Sequence, residues 1–215
     1  MSKQKMILAL GLTVTLTALM GCGEGLDTDA KKTKFSQMEG QPANLRNIAG
    51  EWQSDCLPND ADGSGIGSTI KNIRFEGSNF MERTSQFSDA HCSKFKVAIK
   101  ETANGNFSLI LTGSKIKLSY TYRAITLMSD NQVSIYNANS TCSIDNWSKD
   151  LGRDVSRSDC TNALNSMEPA TIGVFEENGV YTDIRLKSCM MTPRGVMYCE
   201  ALELARVDGT IPTLE

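Results

Sequence analysis

The chain has 215 residues, 40% of them hydrophobic and 22% charged, with a formal net charge of -3. That is enough length and apolar content for one sizeable core. Past Lys3 and Lys5 no basic tract occurs, which speaks against nucleic acid as a partner and against electrostatic attachment to a membrane. Seven cysteines beside a single histidine, with no Cys-x-x-Cys spacing, point to an exported disulfide framework and away from a zinc centre.

At the N-terminus, Lys3 and Lys5 precede an uncharged run from Met6 to Met20. A basic start, an apolar stretch shorter than the about 20 residues of a spanning helix, and small residues after it form the layout of a secretory signal. Leu19-Met20-Gly21-Cys22 resembles the lipobox of bacterial lipoproteins. The resemblance implies removal of residues 1–21, a diacylglycerol on the Cys22 thiol and an acylated new amino terminus at Cys22. Loss of Lys3 and Lys5 would move the net charge to -5 (-3 minus 2). Several acyl chains, at about 0.8 kcal/mol per buried methylene, hold a protein at a bilayer essentially permanently. By resemblance to enterobacterial sorting, Gly23 after the acylated cysteine implies the outer membrane.

Residues 23–47 lack apolar periodicity and are rich in charge, Gly, Gln and Asn, which predicts a flexible tether over 22–47 with a coil dimension of roughly 25 to 30 Å. One domain is expected over 48–215. There the dominant period is two, the mark of half-buried antiparallel strands. Phe95, Val97 and Ile99 alternate with Lys94, Lys96 and Lys100; Phe107, Leu109 and Leu111 alternate in the next run; Ile116, Leu118, Tyr120 and Tyr122 alternate in a third. At Ala124 the phase changes, which predicts a bulge. Turn residues punctuate the runs at 76–79, 103–106, 112–114, 129–131 and 177–179. The fold class is therefore all-β, a single antiparallel sandwich or barrel. Between Ser140 and Ala170 a long polar excursion interrupts the strands, with one or two short helices.

Setting Cys22 aside leaves six cysteines and fifteen pairings. Pro193-Arg194-Gly195 reads as a three-residue hairpin loop, with Thr192 facing Val196. The register that follows sets Cys189 opposite Cys199, Leu186 opposite Leu202, Ile184 opposite Leu204 and Arg185 opposite Glu203. Opposed residues in antiparallel strands lie at a spacing a disulfide accepts. Cys142 and Cys160 bracket the polar excursion, and closing that loop is worth about 3 kcal/mol in the chain-entropy model. Cys56 and Cys92 remain as the third pair.

No catalytic constellation emerges. His91 beside Cys92 would need a reduced thiol, whereas an exported cysteine in a bridged set is oxidised. A calcium loop aligned on Gly63 would place Pro58 first and Thr69 where a bidentate Glu belongs. No metal and no cofactor is expected. Glu176-Glu177 adjoins a turn and reads as a solvated face. Glu200 shares a hairpin face with Ile184, Leu186, Leu202 and Leu204, so it either points inward near a barrel end or stands as a wetted rim residue.

The segment from Ile48 to Cys56, with Gly50-Glu51-Trp52 at its centre, resembles the opening of lipocalin-like domains of bacterial lipoproteins, as do Phe87-Ser88-Asp89 before Cys92 and Trp147 with Leu151-Gly152-Arg153-Asp154 before Cys160. The resemblance spans roughly 48–207. It implies a lipocalin-like antiparallel barrel of about eight strands with one long disulfide-closed loop carrying short helices, and a binding role without catalysis. Such a barrel has room for one small hydrophobic ligand, with the loop from Leu57 to Ser68 near the mouth. Trp52, Phe95, Val97, Ile99, Tyr120, Tyr122 and Glu200 are the expected lining. Trp52 would plug one end with Arg206 stacked over its indole. The rival expectation is a structural or protein-interaction lipoprotein whose barrel is packed solid.

Overall fold

Ten antiparallel strands make one sheet in a computed structural model that describes residues 40–59, 65–191 and 197–207, with backbone alone for 189–191 and 197–200. They are β1 (Gly50–Ser54), β2 (Leu57–Pro58), β3 (Ser68–Glu76), β4 (Asn79–Phe87), β5 (Val97–Ile110), β6 (Lys115–Leu127), β7 (Gly152–Asp154), β8 (Ala170–Glu177), β9 (Val180–Met191) and β10 (Met197–Arg206). Because β1 pairs with both β10 and β3, the sheet closes into an eight-stranded barrel, β1-β10-β9-β8-β6-β5-β4-β3. Two-residue periodicity drives this closure: in β4, Phe80, Glu82 and Thr84 are buried while Asn79, Met81 and Arg83 face out, and a barrel satisfies every strand edge that an open sheet would leave unpaired.

The chain enters at what we term the proximal end, where Gly50 opposes Phe75 and where the turns at 77–78 and 178–179 lie. One apolar cluster fills this end, built on Trp52, Ile73, Phe75, Phe107, Val174, Ile184 and Leu204. A second, with Ile66, Ile99, Ile125, Leu127, Trp147 and Val155, fills the distal end. There the excursion between β6 and β8 folds over the barrel with helices Asp130–Ala138 and Asp159–Ser166. β6 meets β8 at only two residue pairs. Its remaining free edge is satisfied by the excursion: β7 pairs along 124–126, Ser156 Oγ accepts from Arg123 N at 2.9 Å, and the Asn165 amide accepts from Tyr120 N at 2.7 Å while donating to Tyr120 O at 3.0 Å. Asn165 thus stands in for a missing strand.

The hairpin register is the expected one, with Cys199 opposite Cys189, Leu202 opposite Leu186, Leu204 opposite Ile184 and Glu203 opposite Arg185. Disulfides join Cys56 to Cys92 and Cys142 to Cys160, with Cα atoms 5.9 and 5.1 Å apart. The Cys189–Cys199 bond and the facing of Thr192 and Val196 lie outside the described side chains, and the signal segment, Cys22 and the tether as far as residue 39 lie outside the described residues altogether.

Four expectations need correction. The tether does not run to Asn47: Gln41 forms a β-bridge with Val174, Ala43 N donates to Gly113 O at 2.9 Å, and Ala43 and Asn47 are buried. The glycine-asparagine stretch at 103–106 is no turn but the middle of β5, where the register shifts at Asn104/Gly105; a Cβ on Gly105 would lie 1.9 Å from Ser119 O, so the glycine serves close strand approach. That shift leaves Thr121 as the extra residue on β6, three positions before the expected bulge at Ala124. Lastly, Ser129 does not mark a turn but caps the first helix, accepting from Gln132 N.

Candidate functional site

Between the two apolar clusters, the inner wall of β3–β6 carries charge. Lys71 Nζ lies 3.0 Å from Glu82 Oε1. Thr84 Oγ1 donates to the same carboxylate at 3.3 Å, and the Tyr120 hydroxyl donates to its other oxygen at 3.0 Å. One step toward the distal end, Arg123 donates from Nη2 and Nε to Glu101 Oε2 at 2.7 and 3.3 Å, and Gln86 donates to Glu101 Oε1. These side chains are inward because they keep the parity of Ile73, Phe80, Ala103 and Ile125 on their strands. The Glu101–Arg123 pair is sequestered, at 16% and 14% exposure, whereas the Lys71 side chain is 31% exposed. Solvent therefore reaches into the barrel at Lys71.

Two tyrosines bracket this belt. Burial, reinforced by the charge of Glu82, raises the Tyr120 hydroxyl well above the ordinary phenol range; its ring also stands edge-on to Phe80 at 5.1 Å. Tyr136, from the first helix of the excursion, is pushed up to about 12 by burial and then by Glu101, so the excursion's helix meets the belt from the distal side. Both phenols are hydrogen-bond donors at neutral pH, set among carboxylates that can only accept. Among the described residues, no cluster of three or more His, Cys, Asp or Glu side chains is placed to hold a metal ion.

Several expected lining residues sit elsewhere. Phe95 is not on β5: Lys94–Lys96 form a turn of 3-10 helix and the Phe95 side chain is 99% exposed. Tyr122 faces outward at 40% exposure, because the bulge at Thr121 reverses the parity after Tyr120. Val97 is half-buried at the start of β5, with a register shift beside it. Ile99 is buried in the distal cluster, Tyr120 in the belt, and Trp52 in the proximal cluster. Glu200 opposes Ser188 in the register, and its side chain is outside the described set.

Trp52 takes the end-closing role expected of it. Its Nε1 donates to Ile48 O at 2.8 Å, and the Arg206 guanidinium lies 4.9 Å from the ring centroid, an arrangement worth about 0.5 to 2 kcal/mol. Arg206 is fixed by donating to Ala49 O at 2.6 Å. Gly50 has φ +117, and a Cβ there would come within 2.7 Å of Arg206 Nη2; the Gly-x-Trp spacing follows from this contact.

Lys71, Glu82, Glu101 and Arg123 were not singled out in the sequence; the parity that Glu101 and Ala103 share with Ile99 and Phe107 marks them only once β5 is known to run unbroken through 103–106. A separate shallow depression of about 370 Å³ opens on the outer wall beside Arg74, Asn79, Met81, Asn104 and Thr121. No protein-family model matches the chain, and no curated protein matches it in sequence.

Proposed function

We propose that this protein is an envelope lipoprotein, anchored through Cys22 in the outer membrane, whose lipocalin-like barrel binds a small molecule with an apolar body and a polar group and does not transform it. The polar belt carries this reading. A barrel that only needs to stand gains little from buried ion pairs, since apolar residues of similar volume are often neutral or stabilising by about 1 to 4 kcal/mol in their place. Here two such pairs, Lys71–Glu82 and Glu101–Arg123, lie between two apolar clusters with solvent access at Lys71. The clusters offer apolar side chains to a ligand body, and the belt offers charge and hydrogen-bond partners to a polar group. The packed, purely structural barrel is the second reading, favoured by the closure of both ends by tightly buried tryptophans.

Native mass spectrometry of protein extracted from the envelope tests the binding reading, together with titration of an uncharged lipophilic dye. The parent is expected to carry a co-purifying small molecule or to take up dye at one saturable site. Lys71→Met with Glu82→Met is expected to fold and to lose that ligand. A parent that shows the mass of the acylated polypeptide alone and takes up no dye leaves the structural reading standing. Anchoring is tested separately: Cys22→Ala is expected to move the protein from the detergent phase to the aqueous phase.

A further inference from the structure

Exposed apolar side chains are unevenly spread over the described surface. Of the eight large ones, Leu45, Ile110, Leu111 and Val207 stand at the proximal end, Met81 and Tyr122 on the outer wall, and Phe95 and Leu151 at the distal end. At the proximal end two turns touch, since Ala43 N donates to Gly113 O. One presents Leu45 at 55% exposure, the other Leu111 at 61%. The second turn joins β5 and β6: β4 stops pairing at Asn79 opposite Asn106, while β5 continues to Ile110 against β6, and β8 runs further still, Ile172 N donating to Ser114 O and the strand continuing to Glu177.

The second turn is held in a costly shape. Leu111 and Thr112 have φ +52 and +54, the left-handed region that non-glycine residues avoid. In this conformation an apolar side chain is displayed to solvent rather than returned to the inward alternation of Phe107 and Leu109. Seventeen residues, Gly23–Glu39, separate Cys22 from the first described residue, and a chain of that length reaches at most about 60 Å. The chain joins the barrel at Gln41, paired to Val174 at this same end.

We infer that the proximal end rests on the bilayer holding the anchor, with Leu111 and Leu45 entering its interfacial layer and the distal end turned away from it. The inference rests on the lipid-anchor reading given above. Glu76, Glu176 and Glu177 are exposed at this end as well as Arg46, so the contact depends on apolar insertion and not on anionic headgroups, and salt leaves it unchanged.

The test uses the full acylated chain in phosphatidylcholine vesicles. Leu45→Cys, Leu111→Cys and Phe95→Cys each carry an environment-sensitive nitrobenzoxadiazole label, with circular dichroism as the check on folding. Flotation with the vesicles comes first: protein that does not float removes the anchor and the inference with it. In floating protein, labels at 45 and 111 are expected to shift to the blue and to be quenched several-fold more than the label at 95 by nitroxide lipids near the headgroups. Equal quenching at all three positions, stronger quenching at 95, or none at 45 and 111 overturns the inference while leaving the anchor intact.

Discussion

The two ends of the barrel each close on one of the chain's two tryptophans, by different means. At the proximal end Trp52 is wholly buried and is locked by its own strand neighbours: the Ile48 carbonyl four residues back and an arginine from the adjoining β10. No disulfide between described cysteines lies there. At the distal end Trp147 is held within an insertion, by Asn137 and Thr141 and edge-on against Tyr136 at 5.2 Å, and both described disulfides are at this end. The proximal seal is part of the barrel, whereas the distal seal is a cover that needs covalent restraint because its own helices are short.

The sharpest break in this comparison comes from the tryptophans themselves. Trp52→Ala removes a wholly buried side chain and the ring over which Arg206 lies; it should cost about 3 to 5 kcal/mol, read as a fall in the denaturant midpoint followed by circular dichroism. Trp147→Ala should disturb the cover first, so that the β-sheet signal persists at denaturant concentrations where Trp52→Ala has already lost it. Equal losses from the two would mean that the ends form one cooperative unit.

Next in size is the disulfide. Replacing Cys142 and Cys160 with alanine removes a link across 18 positions, worth about 3 kcal/mol to the cover. With Trp147 as the sole tryptophan, its fluorescence transition should move to lower denaturant; with Trp52 as the sole tryptophan, the transition should move less. A common shift would deny the cover its independence.

Alkaline pH offers a smaller lever on the same end. The Tyr136 hydroxyl titrates near 12 when folded against an ordinary value of 10.0. Below pH 10 both states hold the proton and the contribution is complete; as pH rises through 12 the unfolded chain has already ionised, and stability is lost. At about 1.4 kcal/mol per unit the loss is about 1 to 3 kcal/mol. Tyr136→Phe should flatten the stability profile between those pH values, and phenolate absorbance should show one fewer late-titrating tyrosine.

The proximal end was legible because its signals are local. Gly50 and Trp52 sit two residues apart, and alternation carries the strands that pack on them. The β9–β10 register was legible for the same reason, through the turn-forming residue types Pro-Arg-Gly in the sequence and four matched pairs. The charged belt was not, because Glu82 and Glu101 look like the solvent-facing half of a strand until cross-strand partners are known. Gly105 misled in another way: glycine between asparagines is turn chemistry, but here it relieves a close approach to Ser119 from a strand fourteen positions further on. That contact is non-local and leaves no trace in the adjacent residues. The order of the excursion was equally hidden, since side chains such as Asn165 replace the backbone partners that a pattern would reveal.

Phe95 sets the lower limit of the scale and separates pattern from environment most cleanly. Alternating with three lysines, it looks like the inward face of a strand, yet the chain at Lys94–Lys96 turns in a 3-10 helix and the ring meets solvent. A barrel-lining phenylalanine would cost about 3 to 5 kcal/mol on truncation. A side chain with no burial to lose should change stability by no more than about 0.5 kcal/mol, so Phe95→Ala should leave the midpoint where Ile99→Ala, four residues on and 2% exposed, lowers it by about 2 to 5 kcal/mol. Side-by-side unfolding of the two variants measures the contrast. A loss at Phe95 approaching that at Ile99 would show the ring buried against something in solution, and would return Phe95 to the distal cluster.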